Sequence, residues 1–254
     1  MPALVTTVLG RPVPPRLATI GRFHQMNGAH APAHATRWLN SQWDFIGSHL
    51  PEAPARVIDL GCGPHGGFVP ALRQAGYDAL GVDPKAPQGD AYHRLPFEQF
   101  TPPWAVDAII ACTSLHHTHD LTVVFEHIAS ALEPDGVLVV IEWDWQRFDE
   151  HTARWCFDRL TQTADPSWLH RHRDRWRASG QSWQAYLESW AEQERLHTGT
   201  SILDALMQRF VVETCSYGPF FYADLADVSR ATETAAIAAG ALEATAIQVA
   251  ARTR

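Results

Sequence analysis

Short apolar runs recur along the first part of the chain, and segments with apolar residues at helical spacing lie between them. Continuous apolar runs of this length are typical of parallel strands that are buried on both faces. The predicted strands are 56–60, 78–82, 107–112 and 137–141, and the predicted helices are 31–49, 67–75 and 120–132. This alternation predicts an α/β fold with a doubly wound, mostly parallel, Rossmann-like sheet.

One connection departs from this alternation. Only Pro84–Asp90 separates Asp83 from the next candidate strand, 92–97. A helical crossover between parallel strands needs about a dozen residues or more. We therefore predict a loop, and no helix, between the second and third strands.

The composition changes after residue 142. The segment 143–205 is rich in Trp, His and Arg and has helical patterning. Long connections of this kind are usually lids or binding loops, so we expect a helical cap inserted after the fifth strand of a single domain, 1–254. The other parts are an N-terminal helical lid (1–50), the core (55–142) and a C-terminal part that completes the sheet (206–254), with strands at 209–214 and 242–251 and a helix at 222–239.

A glycine turn follows the first predicted strand. Gly61, Gly63 and Gly66 form a GxGxxG pattern that opens the next helix, and Asp83 ends the second strand. Glycines let the backbone approach a ligand, and a carboxylate at the second strand can accept ribose hydroxyls. The pattern also satisfies the dinucleotide fingerprint. However, Asp59 stands where a dinucleotide site usually has an apolar residue, and a carboxylate there suits a ligand with a cationic amino acid tail.

Four motifs together resemble those of class I S-adenosylmethionine-dependent methyltransferases, most closely the small-molecule branch. They are Asp59-Leu-Gly-Cys-Gly-Pro64, Gly81-Val-Asp83, Ser114-Leu-His-His117 and Leu132-Glu-Pro-Asp-Gly136, within residues 55–142. The resemblance implies S-adenosylmethionine as the cofactor. The expected cofactor contacts are Asp59, Gly61, Cys62, Gly63, Pro64, His65, Asp83, Pro84, Phe97, Glu98, Cys112 and Thr113, with Asp90 as an alternative to Glu98 at the adenine.

Candidate catalytic residues follow the fourth and fifth strands, whose carboxyl ends face the site in such sheets. A histidine titrates near neutral pH and suits a general base. We expect His116 or His117 to act as the base, with Glu142 as its orienting partner or as a second base. The expected reaction is methyl transfer to an oxygen of a small, aromatic or apolar molecule.

Aromatic residues near the same edge predict the substrate pocket. The expected substrate contacts are Trp143, Trp145, Tyr217 and Phe221. A cationic amine in an aromatic cage is an alternative acceptor. Two further alternatives keep the fold: an enzyme that catalyses a cyclisation or elimination without methyl transfer, and a non-catalytic protein that binds S-adenosylmethionine. A nicotinamide enzyme is the weakest alternative.

Composition excludes several other classes. The net charge of the 254-residue chain is −8, and no basic run provides the face that a nucleic-acid partner requires. No apolar stretch approaches the roughly 18 residues of a membrane-spanning helix. The four cysteines lie far apart, and the histidines near residue 117 are too crowded to face one ion. We therefore expect a cytoplasmic protein with reduced thiols, no metal and no membrane or nucleic-acid partner; the oligomeric state is not predicted.

Overall fold

A computed structural model describes residues 33–162 and 166–254, with side chains from residue 37 onward. Residues 1–32 of the expected N-terminal lid lie outside this range. The described part of the lid is the helix α1, Ala33–His49. Among the described residues, no helix is both long enough and apolar enough to cross a membrane.

The described strands form one sheet in the order β3-β2-β1-β4-β5-β7-β6. Their bounds are β1 Arg56–Leu60, β2 Asp78–Val82, β3 Tyr92–His93, β4 Val106–Cys112, β5 Leu132–Trp143, β6 Phe210–Gly218 and β7 Ala246–Thr253. Strands β1 to β5 pair in parallel, whereas β7 is antiparallel to both β5 and β6. The prediction of a mostly parallel α/β sheet is therefore confirmed.

Helices cover both faces of this sheet. The remaining helices are α2 Val69–Gln74, α3 Leu121–Ala131, α4 Glu150–Phe157, α5 Trp168–Ser179, α6 Trp183–Gln193, α7 Gly199–Arg209 and α8 Arg230–Ala238. Successive strand residues point to opposite faces, so Ile109 joins the apolar layer with Phe125 of α3, while Ile110 joins the layer with Ile46 of α1 and Leu72 of α2. The carboxyl ends of β1, β4 and β5 meet at one edge between these layers.

The predicted loop after Asp83 is confirmed, because residues 83–91 contain no helix. Strand β3 is shorter than the predicted 92–97, since a turn of 3-10 helix, Phe97–Gln99, follows Pro96. The last helix is also shorter than the predicted 222–239. It begins only after Ser229, whose hydroxyl caps it by accepting from the Thr232 backbone N–H.

The segment between β5 and β6 contains α4 to α7, as expected of a helical cap. It contributes to a third apolar cluster, separate from the two layers that cover the sheet. Trp143, Phe148, Trp183 and Phe221 belong to this cluster, and Trp183 and Phe221 are completely buried. The insertion thus shares this core with the segment after β6, and Trp143 at the end of β5 links the core to the sheet.

Candidate active site

The glycine turn after β1 depends on conformations that favour glycine. Gly61 has a φ of +78°, and Gly63 and Gly66 also have positive φ values. A Cβ atom at Gly61 would lie 2.2 Å from the Cβ of Ser114, so the loop passes directly over the end of β4. At Gly63, by contrast, a Cβ atom would meet nothing within 4 Å. The loop is therefore closed at Gly61 and open at Gly63.

Asp59 lies under this loop and is buried. Its Oδ2 accepts a hydrogen bond of 2.6 Å from the Phe68 backbone N–H. Its Oδ1 has no hydrogen-bond partner in the described part of the chain. Burial raises the pKa of Asp59 to about 7, although the hydrogen bond from Phe68 lowers it. A cation bound nearby would stabilise the ionised carboxylate.

Asp83 stands at the end of β2 and connects to the same loop. Its Oδ2 accepts from the Gly63 N–H at 3.1 Å, and its Oδ1 accepts from the Lys85 N–H at 2.6 Å. There is open space at Gly63, and the Asp83 carboxylate that faces it suits a ligand with vicinal hydroxyls. The unpartnered Oδ1 of Asp59 suits a cationic tail on the same ligand. The residues present therefore fit S-adenosylmethionine.

The other expected cofactor contacts surround this loop unevenly. Pro64, His65 and Pro84 are exposed on the solvent side, whereas Cys62 and Cys112 are buried. Phe97 and Glu98 lie in the 3-10 turn after β3, where Phe97 is buried and Glu98 is partly exposed. Asp90 precedes β3, so it lies at the amino end of that strand and away from the edge at which the glycine turn lies.

Glu142, near the end of β5, organises the turn after β4. It is completely buried, and its Oε1 accepts from the N–H groups of Ser114 and Leu115 at 2.7 and 2.6 Å. Its Oε2 lies 2.6 Å from Nδ1 of His116. One carboxylate thus fixes both the backbone of the 3-10 turn Leu115–His117 and the ring of its central residue.

The two adjacent histidines have opposite pKa shifts. Burial lowers the pKa of His116, but the charge and hydrogen bond of Glu142 outweigh burial and raise the pKa above its ordinary value. Burial and the neighbouring His116 lower the pKa of His117. The ring centroids are 4.2 Å apart. Of these two histidines, only His116 lies within hydrogen-bond distance of a carboxylate among the described residues, which makes it the stronger base.

A cavity of about 410 Å³ opens beside these histidines. Most of its wall is aromatic, and its polar groups include three imidazoles and one carboxyl. The lining residues are Trp38, Thr113, His116, His117, Trp143, Trp168, His172, Trp190, Phe220, Ala223 and Asp224. A small number of polar groups in an apolar cavity of this size is typical of a small-molecule site.

A family model described as a methyltransferase domain matches residues 30–210. The chain belongs to this family. It is a class I S-adenosylmethionine-dependent methyltransferase, and S-adenosylmethionine is its cofactor. The prediction from the four motifs is confirmed. No curated protein matches the chain significantly.

Solved structures share the fold of this methyltransferase at low sequence identity. An S-adenosylmethionine-dependent methyltransferase from Mesorhizobium loti is 20% identical, with 84% of this chain and 97% of that chain covered and a TM-score of 0.52. Geranyl diphosphate C-methyltransferase from Streptomyces coelicolor A3(2), solved with Mg²⁺, geranyl diphosphate and S-adenosyl-L-homocysteine, is 17% identical, with 92% and 88% covered and a TM-score of 0.52. The PH0226 protein from Pyrococcus horikoshii OT3 is 12% identical, with 91% and 96% covered and a TM-score of 0.54.

Three of the expected substrate contacts of the methyltransferase lie outside the lining of this cavity. Trp145 is buried beside it, and its indole N–H donates to the His197 carbonyl. Phe221 is completely buried and packs on Phe148. Tyr217 is exposed on β6, where the Arg147 guanidinium covers its ring. Trp143 is the expected substrate contact that does line the cavity.

Sequence reasoning missed several residues of this cavity. Trp168 and Trp190 belong to the Trp-rich segment, and Phe220 precedes Phe221. Composition therefore indicated an aromatic region here but not which rings face the cavity. His172 belongs to the same segment, which is also rich in His, whereas Trp38 had no such signal. Glu233 of α8 was also missed, although it is completely buried and accepts from the N–H groups of Phe220, Phe221 and Tyr222, the last at 2.6 Å.

Proposed function

We propose that this methyltransferase methylates an oxygen of a small, flat, aromatic or apolar molecule that binds in the cavity. The observation that carries the proposal is the 2.6 Å contact between His116 and Glu142 at the wall of an aromatic cavity beside the glycine turn. A hydroxyl nucleophile gains from a positioned base, and an aromatic cavity excludes water from the reaction.

His116 is the proposed base. Its Nδ1–H donates to Glu142, so the hydrogen bond fixes the tautomer and leaves the Nε2 lone pair to take a proton from the acceptor hydroxyl. Glu142 raises the pKa of His116 and stabilises the imidazolium that the proton transfer produces. His117 lines the cavity without a carboxylate of its own, and we assign it a contact with the acceptor instead of the proton transfer.

The residues that would hold the cofactor are Asp59, Gly61, Gly63 and Asp83. When bound, S-adenosylmethionine supplies an electrophilic methyl group. Asp83 would accept hydrogen bonds from the ribose hydroxyls, and Asp59 would stabilise the positive charge of the amino acid tail. The other proposed cofactor contacts around this centre are Cys62, Pro64, His65, Pro84, Phe97, Glu98, Cys112 and Thr113.

The aromatic wall favours a flat acceptor. Trp143 stacks on Phe220 with ring centroids 5.7 Å apart and contacts Trp168 edge to face at 5.3 Å. Rings fixed in this way offer a rigid surface to another aromatic ring. We assign residues 1–254 to one domain, in which the segment 143–205 forms the cap over this surface.

The test is transfer of a labelled methyl group from S-adenosylmethionine to a panel of phenols of one to three rings. We expect product with at least one phenol, formed at the oxygen and dependent on His116. Binding of S-adenosylhomocysteine without labelled product from any phenol would contradict O-methylation. Conversion of a phenol without label in the product would indicate the alternative non-methylating chemistry.

Asp224 favours a second candidate. Asp224 lines the cavity together with Trp38 and Trp168. A carboxyl group among aromatic rings suits a cationic amine. The amine acceptor would be methylated at nitrogen after losing a proton. A panel of benzylic amines matched to the phenols distinguishes the two. These amines are cationic at neutral pH, and a preference for them that Asp224→Asn removes would favour the second candidate.

A further inference from the structure

His172 lies on α5 in the inserted segment, far in sequence from the base and the glycine turn. Its ring is buried and lines the cavity. It meets Trp190 edge on at 4.5 Å and Trp168 at 5.6 Å. Both tryptophans also contact Trp143, at 6.1 and 5.3 Å, next to Glu142. A layer of indole rings thus connects His172 to the catalytic edge.

The hydrogen bond of His172 determines which ring nitrogen carries the proton. Nδ1 lies 2.9 Å from the hydroxyl of Tyr186, which is also buried. Burial raises the pKa of Tyr186, so the phenol keeps its proton. Within residues 33–162 and 166–254 no other group accepts from this hydroxyl, so it donates to Nδ1. Nε2 therefore carries the imidazole proton, and no described residue accepts from it.

The surroundings of His172 keep the ring uncharged. Burial and the cationic Arg175 and Arg171 lower its pKa to about 4. Two other polar groups of the cavity wall are already used as donors, since the Thr113 hydroxyl donates to the Cys112 carbonyl and His116 donates to Glu142. His172 therefore offers a neutral N–H at a wall that is mainly aromatic.

We propose that His172, held by Tyr186, is a specificity-determining residue whose Nε2–H donates to a second polar atom of the acceptor, away from the oxygen that is methylated. The acceptor class is then a flat phenol that bears a hydrogen-bond acceptor, such as a carbonyl, ether or ring nitrogen, at its other end. This inference rests on the proposed function, because it places the reacting hydroxyl at His116.

A matched pair of probes tests the inference. 4-(Pyridin-4-yl)phenol and 4-phenylphenol have the same shape and differ in one ring atom, which accepts a hydrogen bond only in the pyridyl compound. Their dissociation constants are measured by calorimetry on the full chain with S-adenosylhomocysteine present. We expect the wild type to bind the pyridyl probe about 3- to 10-fold more tightly, the range of one neutral hydrogen bond.

Two variants connect this preference to the residues. His172→Phe keeps a ring against Trp190 but has no donor, so the two probes should bind equally while the affinity for 4-phenylphenol changes less than about twofold. Tyr186→Phe no longer fixes the tautomer and should keep only part of the preference. Damage to the cavity wall would weaken both probes together, which separates a structural effect from loss of the donor.

Three outcomes would each overturn the inference. They are an unchanged preference in His172→Phe, equal binding of the two probes to the wild type, and failure of both probes to bind. If His172→Phe does not fold, an unchanged preference in Tyr186→Phe overturns it. Labelled methyl transfer is measured on the same samples. A pyridyl preference that depends on His172, without transfer to either phenol, would support the inference and contradict the proposed O-methylation.

Discussion

The glycine turn after β1 and the aromatic cavity both lie at the carboxyl edge of the sheet, but different interactions form them. The glycine turn is held by backbone groups between residues 59 and 83, such as the Phe68 N–H on Asp59 and the Gly63 N–H on Asp83. The cavity is assembled from α1, the turn after β4, the end of β5, α5, α6 and the segment before α8. A site of the first kind follows from local sequence, whereas a site of the second kind depends on how distant elements pack.

Two buried glutamates act in the same way in two different parts of the site. Glu142 accepts from the N–H groups of Ser114 and Leu115, and Glu233 accepts from three successive N–H groups that begin at Phe220. Glu142 also binds the imidazole of His116. The same device therefore fixes a base on the catalytic edge and an aromatic wall on the acceptor side, so the two regions can be disturbed separately.

The largest expected effect is on turnover, with cofactor affinity unchanged. His116→Asn can still donate to Glu142 but has no basic nitrogen, so we expect turnover to fall about 10²- to 10⁴-fold. Calorimetry should give an affinity for S-adenosylhomocysteine within about twofold of the wild type, since we propose no cofactor contact for this residue. His117→Asn is the matched control and should lose less than His116→Asn. Equal losses in the two variants would contradict the assignment of the base.

Gly61→Ala should disturb the cofactor side most strongly. The new Cβ would collide with Ser114 and occupy a left-handed conformation, which together cost about 2–5 kcal/mol of folding stability. Gly63→Ala is the control: its Cβ enters open space, so we expect only about 1–2 kcal/mol of backbone strain. It should nevertheless weaken cofactor binding, because that space would receive the ligand. Urea unfolding and calorimetry measure the two quantities, and equal stability losses would refute the account of the loop.

Glu233→Gln should disturb only the acceptor side. The amide can accept from two of the three N–H groups but presents its own N–H₂ to the Tyr222 N–H, at a cost of about 1–3 kcal/mol. We expect weaker binding of phenols and unchanged binding of S-adenosylhomocysteine. Denaturant unfolding gives the stability change. Weakened cofactor binding would show that the two regions are coupled.

A smaller effect concerns pH and the glycine turn. Burial raises the pKa of Asp59 to about 7, so the carboxyl is protonated below that pH in the free protein. A cationic tail favours the carboxylate, so binding releases a proton and the affinity rises with pH, by up to about tenfold per unit, until about pH 7. Asp59→Asn should remove this dependence. Calorimetry between pH 5.5 and 8 measures it, and an affinity independent of pH in the wild type would contradict the proposal.

The sequence predicted the parts that depend on local pattern. The apolar runs located β1, β2 and β4, and the few residues after Asp83 correctly predicted a loop without a helix. Glu142 and the two histidines were singled out because they follow strands at the carboxyl edge. The sequence did not show that Trp145, Tyr217 and Phe221 lie outside the cavity lining, because composition indicates an aromatic region but not which ring faces the cavity. His172 and Glu233 were missed because their partners, Tyr186 and residues 220–222, are fixed only by tertiary packing.

We expect the cofactor site to open into the aromatic cavity beside His116. A crystal structure with S-adenosylhomocysteine bound would show whether it does. We predict that the ribose lies on Asp83 and that the sulfur faces the cavity at Thr113, with His116 Nε2 and Trp143 on the far side of the space left for the acceptor. A sulfur turned towards solvent, or separated from the cavity by packed side chains, would contradict the account.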